Sequence, residues 1–458
     1  MAIGGWRGSR FFAWAILLGC AFVVFIGPWR IEWIEALDGS RATVVERPFS
    51  PTPSAAAKTE AGPLQVGFGS VSIAEAAAKH RVPLAGYIGR AGKPNDGIKD
   101  DVAVQAVVLD DGRRRIALVT GDLLLITSRT AAAIGDAVER RSKRLTRAHL
   151  YFGATHTHSG PGGFAASLAE SFGTGRPNAP FSQELVTAFA DAVSRAEANL
   201  EPAEWTSFAV EAPAECIANR TRDGGPTNRW VDVLGFRKPG ETRWTASLVS
   251  FAAHATCDPP KEGGNRLCSD YPGAFRKALE ERLGGRMAFL AGAVGSMGPG
   301  RLNVERTGLA AELGTRLSKA VVDASGSQRW NRDIRIDIAQ VSLSLPAPTA
   351  KVYGGWCLSP ILGAALLPTR TTITAARIGD TIYLGVPADF GGELALNLRG
   401  RIPGVRTVAT SFAGDYVGYV IADRDYWLDR YEPRSMVLYG GRMEALFEDV
   451  LTKIAKGM

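Results

Sequence analysis

The stretch "RIALVTGDLLLITSRTAAAIGDAVERRSKRLTRAHLYFGATHTHSGPGG" (residues 115–163) sets the fold class. Its first part is an apolar, β-branched run of the kind that fills a buried strand. "SRTAAAIGDAVERRSKR" then has helical composition, and "HLYFGATH" returns to a short apolar, aromatic strand. Strand, helix and strand over this interval predict a βαβ unit with parallel strands and a right-handed crossover. At its end stand His156 and His158, two of only five histidines in the chain. If the second strand runs on through His158, alternation points both imidazoles to one face. "SGPGG" is turn chemistry that stops the strand there. Two histidines in this spacing are equally compatible with satisfied polar residues in a loop, so other features must supply the chemistry.

Outward from this unit the same pattern continues. Strand-like runs are "LQVGFGSVSI" and "VAVQAVVLDD" before it, then "TASLVSFAAHA", "RMAFLAGAVG", "DIRIDIAQVSLSL", "TTITAARIGDTIYLGVP" and "RTVATSFAG" after it. Between them "SQELVTAFADAVSRAEANL", "GAFRKALEERL" and "RTGLAAELGTRLSKAVVDA" read as helices, the first capped by Ser182 with Glu184 nearby. No internal repeat is evident in the sequence. The predicted class is α/β, a layered sandwich of β-sheet flanked by helices in a single large catalytic domain behind an N-terminal transmembrane helix.

With 458 residues, 46% hydrophobic and 22% charged, the chain has ample material for a core. A net charge of +7 is basic, but Lys and Arg are scattered. The densest run, "ERRSKRLTR" (residues 139–147), falls at a predicted helix end, where cations suit the dipole. No zinc-finger spacing, RNP-like motif or P-loop accompanies it, so no nucleic-acid partner is expected.

At the N-terminus, Arg10 and Arg30 bracket an uncharged stretch from Phe11 to Trp29. At about 1.5 Å per residue it covers roughly the thickness of a bilayer core. Trp6, Trp14, Trp29 and Trp33 stand where interfacial aromatics are expected, and Arg7 and Arg10 precede the stretch while Glu32, Glu35 and Asp38 follow it. The positive-inside rule leaves the bulk of the chain on the extracytoplasmic (periplasmic or extracellular) side. An uncleaved anchor is the reading adopted, with removal as a signal peptide its rival. The expected division is therefore an anchor with its flanks over 1–37, a Pro/Ala/Ser-rich tether over 38–63 and a globular domain over 64–458. Cys20 lies in the anchor. Cys257 and Cys268 are close enough in sequence to bridge one loop of an exported domain.

Further chemistry comes from His254 in "LVSFAAHATCDPP", again at the end of an apolar strand before turn residues. Strand-end histidines are a recurrent way to hold a transition metal with an open position. Asp389 in "YLGVPADFGG" is the candidate carboxylate. "GDYVGYVIADRDYWLDRYEPRS" (residues 414–435) concentrates five Tyr and Trp donors in one segment.

"THTHSGPGG", the histidine of "FAAHATC", the "VPADF" strand end and "GYVIADRDYWLDRYE" occur in the order found in neutral (non-lysosomal) ceramidases. The opening "LQVGFGSVSI…VPLAGYIGR" is similar to that family's N-terminal strand and loop. The resemblance spans roughly residues 64 to 456. It implies a zinc amidohydrolase that cleaves the N-acyl bond of a ceramide-like lipid. Carried over residue by residue, it implies that His156, His254, Asp389 and Tyr419 bind zinc, Asp389 standing where the family has a glutamate. It implies that His158 moves protons, and that Arg220 and Tyr431 hold or polarise the scissile carbonyl. Zinc-activated water would be the nucleophile. The sequence departs from the family at "GSMGPG", where Gly298 replaces a serine assigned a catalytic part, with Ser296 two residues away. The length after the last motif leads us to expect no immunoglobulin-like C-terminal domain of the kind that longer ceramidases have. The alternative is a zinc hydrolase of the same fold that acts on another amide or ester of the cell envelope.

Overall fold

The computed structural model describes residues 5–38, 61–87, 90, 92–165, 171, 173–258 and 264–458. Three mixed sheets make up the body, and each is built in the same way. In the first, β1 (Gln65–Ser72), β2 (Ala103–Asp110) and β3 (Arg115–Gly121) form an antiparallel meander, and helix α3 (Ser128–Glu139) crosses over to β4 (Leu150–Ala154), parallel to β3. Helix α4 (Ala179–Ala198) follows. The second sheet repeats this with β5 (Glu204–Glu211), β6 (Trp230–Arg237) and β7 (Trp244–Phe251), crossover α5 (Asp270–Leu283), parallel β8 (Arg286–Ala291) and trailing α6 (Leu309–Ser325). The third uses β9 (Ile336–Ser344), β10 (Arg370–Ile378) and β11 (Thr381–Gly385), crossover α7 (Gly392–Arg399), parallel β12 (Arg406–Thr410) and trailing α8 (Met443–Gly457). The topology repeats three times although the sequence shows no repeat.

Alternation along the strands explains the layering. In β2 and β3, Val107, Leu109, Ile116 and Leu118 face a central core, where they meet Leu234, Phe236, Leu248 and Leu290 of the second sheet and Ile336, Ile378 and Tyr383 of the third. The intervening Val104, Ala106, Val108, Ala117 and Val119 face outward onto Ile134, Phe189, Val193 and their neighbours on the helices. The third sheet turns Ile373, Ala375, Ile382 and Leu384 onto Leu394, Phe447 and Leu451. Strands buried on both faces read as continuous apolar runs, as these do. Each such side chain contributes about 1.5–3 kcal/mol of burial. The α/β class is as expected, but the single sandwich gives way to three sheets around one core. The helix read from Ser182 begins earlier, because Asn178 Oδ1 accepts from the amide of Phe181 at 3.0 Å and caps it.

The N-terminal segment also differs from expectation. Helix α1 (Gly5–Phe25) forms, but among the described residues no helix is long and apolar enough to cross a membrane, so the transmembrane anchor is not shown. The helix stops four residues before Trp29. Gly27, at φ +105°, turns the chain, and Trp29–Arg30 pairs antiparallel with Trp356–Cys357. Helix α2 (Ile31–Asp38) then buries Ile31 and Ile34 against Tyr419, Ile421, Tyr426 and Val437. Most of the expected tether lies outside the described residues, and its last two, Gly62–Pro63, pair with Asp333–Ile334. All five cysteines are free thiols, so the loop from Cys257 to Cys268 carries no bridge. Cys268 Sγ donates instead to Asp100 Oδ2 at 2.9 Å.

Candidate metal centre

The carboxyl ends of the three parallel strand pairs converge, the usual place for a site in sheets of this kind. His156 and His158 follow β4, His254 follows β7, and Asp389 follows β11. Tyr419 is brought beside Asp389 by a short parallel pairing, Asp389 opposite Tyr419 and Phe390 opposite Val420. Arg220 follows the strand Ile217–Asn219, which pairs with Met297–Pro299 of the glycine turn.

The two histidines of the HxH meet for a different reason than alternation. β4 ends at Ala154, and His156 takes a left-handed conformation at φ +58°. Its ring stacks on Phe412 at 4.0 Å between centroids, and Phe412, two residues past the end of β12, has φ +63°. His158 lies in the following turn, its amide bonded to Ala255 O at 3.1 Å. The two Nε2 atoms still come within 3.1 Å.

Backbone acceptors orient the rings. His156 Nδ1 donates to Leu124 O at 2.7 Å, and His254 Nδ1 to Val294 O at 2.8 Å and Met297 O at 3.0 Å. Each therefore turns an Nε2 lone pair to the centre, as a metal-binding imidazole must. Burial holds all three site histidines well below their ordinary titration range, so they are neutral.

Four donor atoms converge: Asp389 Oδ1 lies 3.4 Å from His156 Nε2 and 3.2 Å from His254 Nε2, and Tyr419 Oη lies 3.1 Å from His254 Nε2. Ligand atoms about 2.0–2.1 Å from a tetrahedral zinc ion sit roughly 3.3 Å apart, so the spacing fits. Asp389 Oδ1 is buried without a hydrogen-bond partner, while Oδ2 accepts from Tyr416 Oη at 2.7 Å. Burial pushes the Asp389 carboxyl up and the adjacent His156 pulls it back. Burial and Asp389 also raise the Tyr419 hydroxyl, with Arg220 opposing. A neutral-histidine, orphan-carboxylate set of this kind can hold a divalent cation. His156, His158 and His254 by themselves form a cluster with ligand atoms within 4.8 Å of one another.

Arg220 donates through Nη2 to Tyr419 Oη at 3.0 Å and to His254 Nε2 at 3.1 Å, and its Nε lies 2.8 Å from Glu432 Oε1. Tyr431 is half exposed at the mouth of the site. Between the histidines and that mouth opens a cavity of about 390 Å³, whose apolar wall includes Leu124, Leu125, Leu366, Leu367, Val417 and Met436. All seven residues singled out in the sequence thus lie in one region. Sequence reasoning missed Tyr416, although it stands in the same aromatic segment as Tyr419, and it missed Phe412 and Glu432. Tyr87, edge-on to the His158 ring at 4.9 Å, gave no signal of its own. Ser296 is fully buried, and its Oγ accepts from the Gly392 amide at 3.0 Å, capping α7 away from the cavity.

Residues 64–222 match the model of the neutral/alkaline non-lysosomal ceramidase family, N-terminal region. A crystal structure of neutral ceramidase from Pseudomonas aeruginosa superposes with a TM-score of 0.73 at 20% identity, covering 86% of this chain and 74% of that one. A ceramidase complexed with C2 gives 0.72 at 19% identity, covering 86% and 75%. The ceramidase resemblance carried by the sequence motifs is therefore shown, by the family match over residues 64–222 and by a fold shared with solved neutral ceramidases.

Proposed function

We propose that this protein is a zinc-dependent amidohydrolase that cleaves the N-acyl bond of a ceramide-like lipid, adding water across the amide to release a free amine and a fatty acid. The observation that carries this reading is the convergence of His156, His254, Asp389 and Tyr419 on one point that opens into an apolar cavity. Polar donors at one end and an apolar wall along the other suit a substrate with a polar amide and a hydrocarbon chain.

When bound, zinc would polarise the amide carbonyl and lower the pKa of a water to about 7. The protein's own groups supply the rest. Arg220 presents guanidinium N–H groups beside Tyr419, where they can stabilise an oxyanion, and Tyr431 at the mouth offers a second donor. His158, neutral and at the cavity wall, can take a proton from the nucleophile and return it to the leaving amine. Neither Gly298, which has no side chain, nor Ser296, whose hydroxyl accepts from the Gly392 amide, offers the nucleophile that the family serine would supply. Association with a membrane through α1, with the domain on the extracytoplasmic side, is part of the proposal. It is supported by Trp14, Leu17, Leu18, Phe22 and Phe25, all exposed.

The test is hydrolysis of short-chain ceramides by the purified protein before and after chelation, with zinc added back. Loss on chelation and recovery with zinc are expected. Activity indifferent to chelation would refute the metal, and turnover confined to simple amides or esters would refute the lipid substrate.

A further inference from the structure

The segments that carry Arg220, Asp389 and Tyr419 meet a second time, behind the centre, around two carboxyl groups. Glu393, on α7 just past Asp389, is 4% exposed, and Asp425, in the turn after Tyr419, is 0% exposed. Asp425 Oδ1 accepts from Arg222 Nε at 2.9 Å and also from its Nη2. Glu393 Oε2 accepts from Asn219 Nδ2 at 3.2 Å. Asn219 cannot present its oxygen there instead, because Oδ1 already accepts from the amides of Thr221 at 3.1 Å and Arg222 at 2.9 Å. That leaves Glu393 Oε1 and Asp425 Oδ2, both buried and without a partner, on side chains within hydrogen-bonding reach of each other.

Two facing carboxylates in a buried setting cannot both stay ionised at low cost. The other charges facing the pair do not cancel this. Arg222 compensates the charge of Asp425, but Glu393 has no hydrogen-bonded cation, since Arg424 Nη2 stands 4.0 Å from Glu393 Oε1. Glu444 is engaged two residues away, with the Asp423 amide at 2.7 Å. One proton between Oε1 and Oδ2 satisfies both orphaned atoms.

We propose that Glu393 is a positioning residue of this site: a neutral acid that donates its proton to Asp425 and thereby ties the Arg220, Asp389 and Tyr419 segments together. The link to catalysis rests on the roles proposed for those three residues; the proton itself does not. Burial first, and Asp425 second, raise the Glu393 carboxyl above its usual range, with Arg424 and Asn219 opposing. The sign follows from linkage. A carboxyl raised in the folded state adds stability that is fully present below its unfolded pKa and is lost as pH rises through the folded value.

The experiment compares unfolding midpoint and kcat from about pH 5 to about pH 9 for the unaltered protein, Glu393→Gln and Glu393→Ala. The glutamine amide reproduces the protonated acid, accepting from Asn219 and donating to Asp425. Glu393→Gln should match the unaltered protein at low pH and lose, in both readouts, the decline that follows as pH rises. Glu393→Ala should have a lower midpoint throughout and a kcat reduced tenfold or more. A Glu393→Gln variant as impaired as alanine at low pH, or one with an unchanged pH profile, overturns the proposal. So does an unfolding midpoint that added Ca²⁺ raises in the unaltered protein but not in Glu393→Gln, since a cation would then bridge the oxygens. If the protein fails to turn over any ceramide, the midpoint profiles still decide whether the proton is shared. If alanine fails to fold, the glutamine comparison suffices.

Discussion

The chain before the family-matched region should be part of the folded body, and removing two isoleucines tests this. Ile31 and Ile34 are 0% and 3% exposed and share a cluster with Tyr419, Ile421, Tyr426 and Val437. Deleting a buried Ile side chain to Ala costs about 2–5 kcal/mol, the burial term plus the cavity left behind. The two residues touch one cluster, so their costs overlap, and the double variant should lose roughly 3–6 kcal/mol. That is a large part of the ~5–15 kcal/mol that a folded chain commonly has. The neighbouring Glu32, 71% exposed at its side chain and 3.7 Å from Arg30, is the control, and Glu32→Ala should change stability by less than about 0.5 kcal/mol. Urea unfolding followed by circular dichroism measures both. Because Tyr419 forms one wall of the cluster, bound zinc should also fall in the double variant under conditions where it remains folded. If Ile31→Ala/Ile34→Ala unfolds at the same urea concentration as Glu32→Ala and keeps its zinc, residues 31–38 are a passive leader and the reasoning fails.

Two further predictions concern the centre itself. His156→Ala removes one of four donors and should lower both zinc content and activity, whereas His158→Ala should keep zinc near one per chain and lose about a hundred- to ten-thousand-fold in kcat. Zinc by mass spectrometry alongside kcat decides, and equal zinc loss in both variants would make His158 a ligand, as the three-histidine cluster also permits. A Cβ at Gly298 would meet only Arg220 Cδ, at an ordinary 3.4 Å, so serine fits there. Gly298→Ser should bring no gain of orders of magnitude, and a large gain or an acyl group trapped on Ser296 would overturn the water mechanism.

The βαβ unit was legible because both of its strands are dominated by apolar residues, "RIALVTG" and "LYFGA", and a polar-faced helix lies between them. The fused run "TTITAARIGDTIYLGVP" is in fact the hairpin of β10 and β11, turned at Gly379, where φ is +62°. β5, "EWTSFAVE", escaped notice because it is an edge strand with charged and polar residues in its pattern, and β6, "WVDVLGFR", although inside the sheet, is interrupted by Asp232 and Gly235. The site residues were legible through motif order, which says nothing of distance. What brings Asp389 beside Tyr419 is a two-residue parallel pairing too short for any periodicity to reveal. The left-handed turn at His156 places its ring against Phe412, a partner far away in the chain that no local pattern announces. The anchor reading counted apolar residues from Phe11 to Trp29, whereas helix α1 ends at Phe25 and the chain turns at Gly27.

The threefold topology also bears on the order in which this protein can come into being. His156 belongs to the first unit, His254 to the second, and Asp389 and Tyr419 to the third. No unit owns more than two of the four donors, and each lies beyond a parallel strand pair that must itself be formed. During synthesis, domains tend to acquire structure from the N-terminus onward. Yet a nascent chain that has completed two units has only two of the four proposed donors, His156 and His254, and lacks Asp389 and Tyr419. Only when the ribosome has passed Tyr419 are all four proposed donors in existence, so a metal held by all of them would report that the third unit has joined the first two.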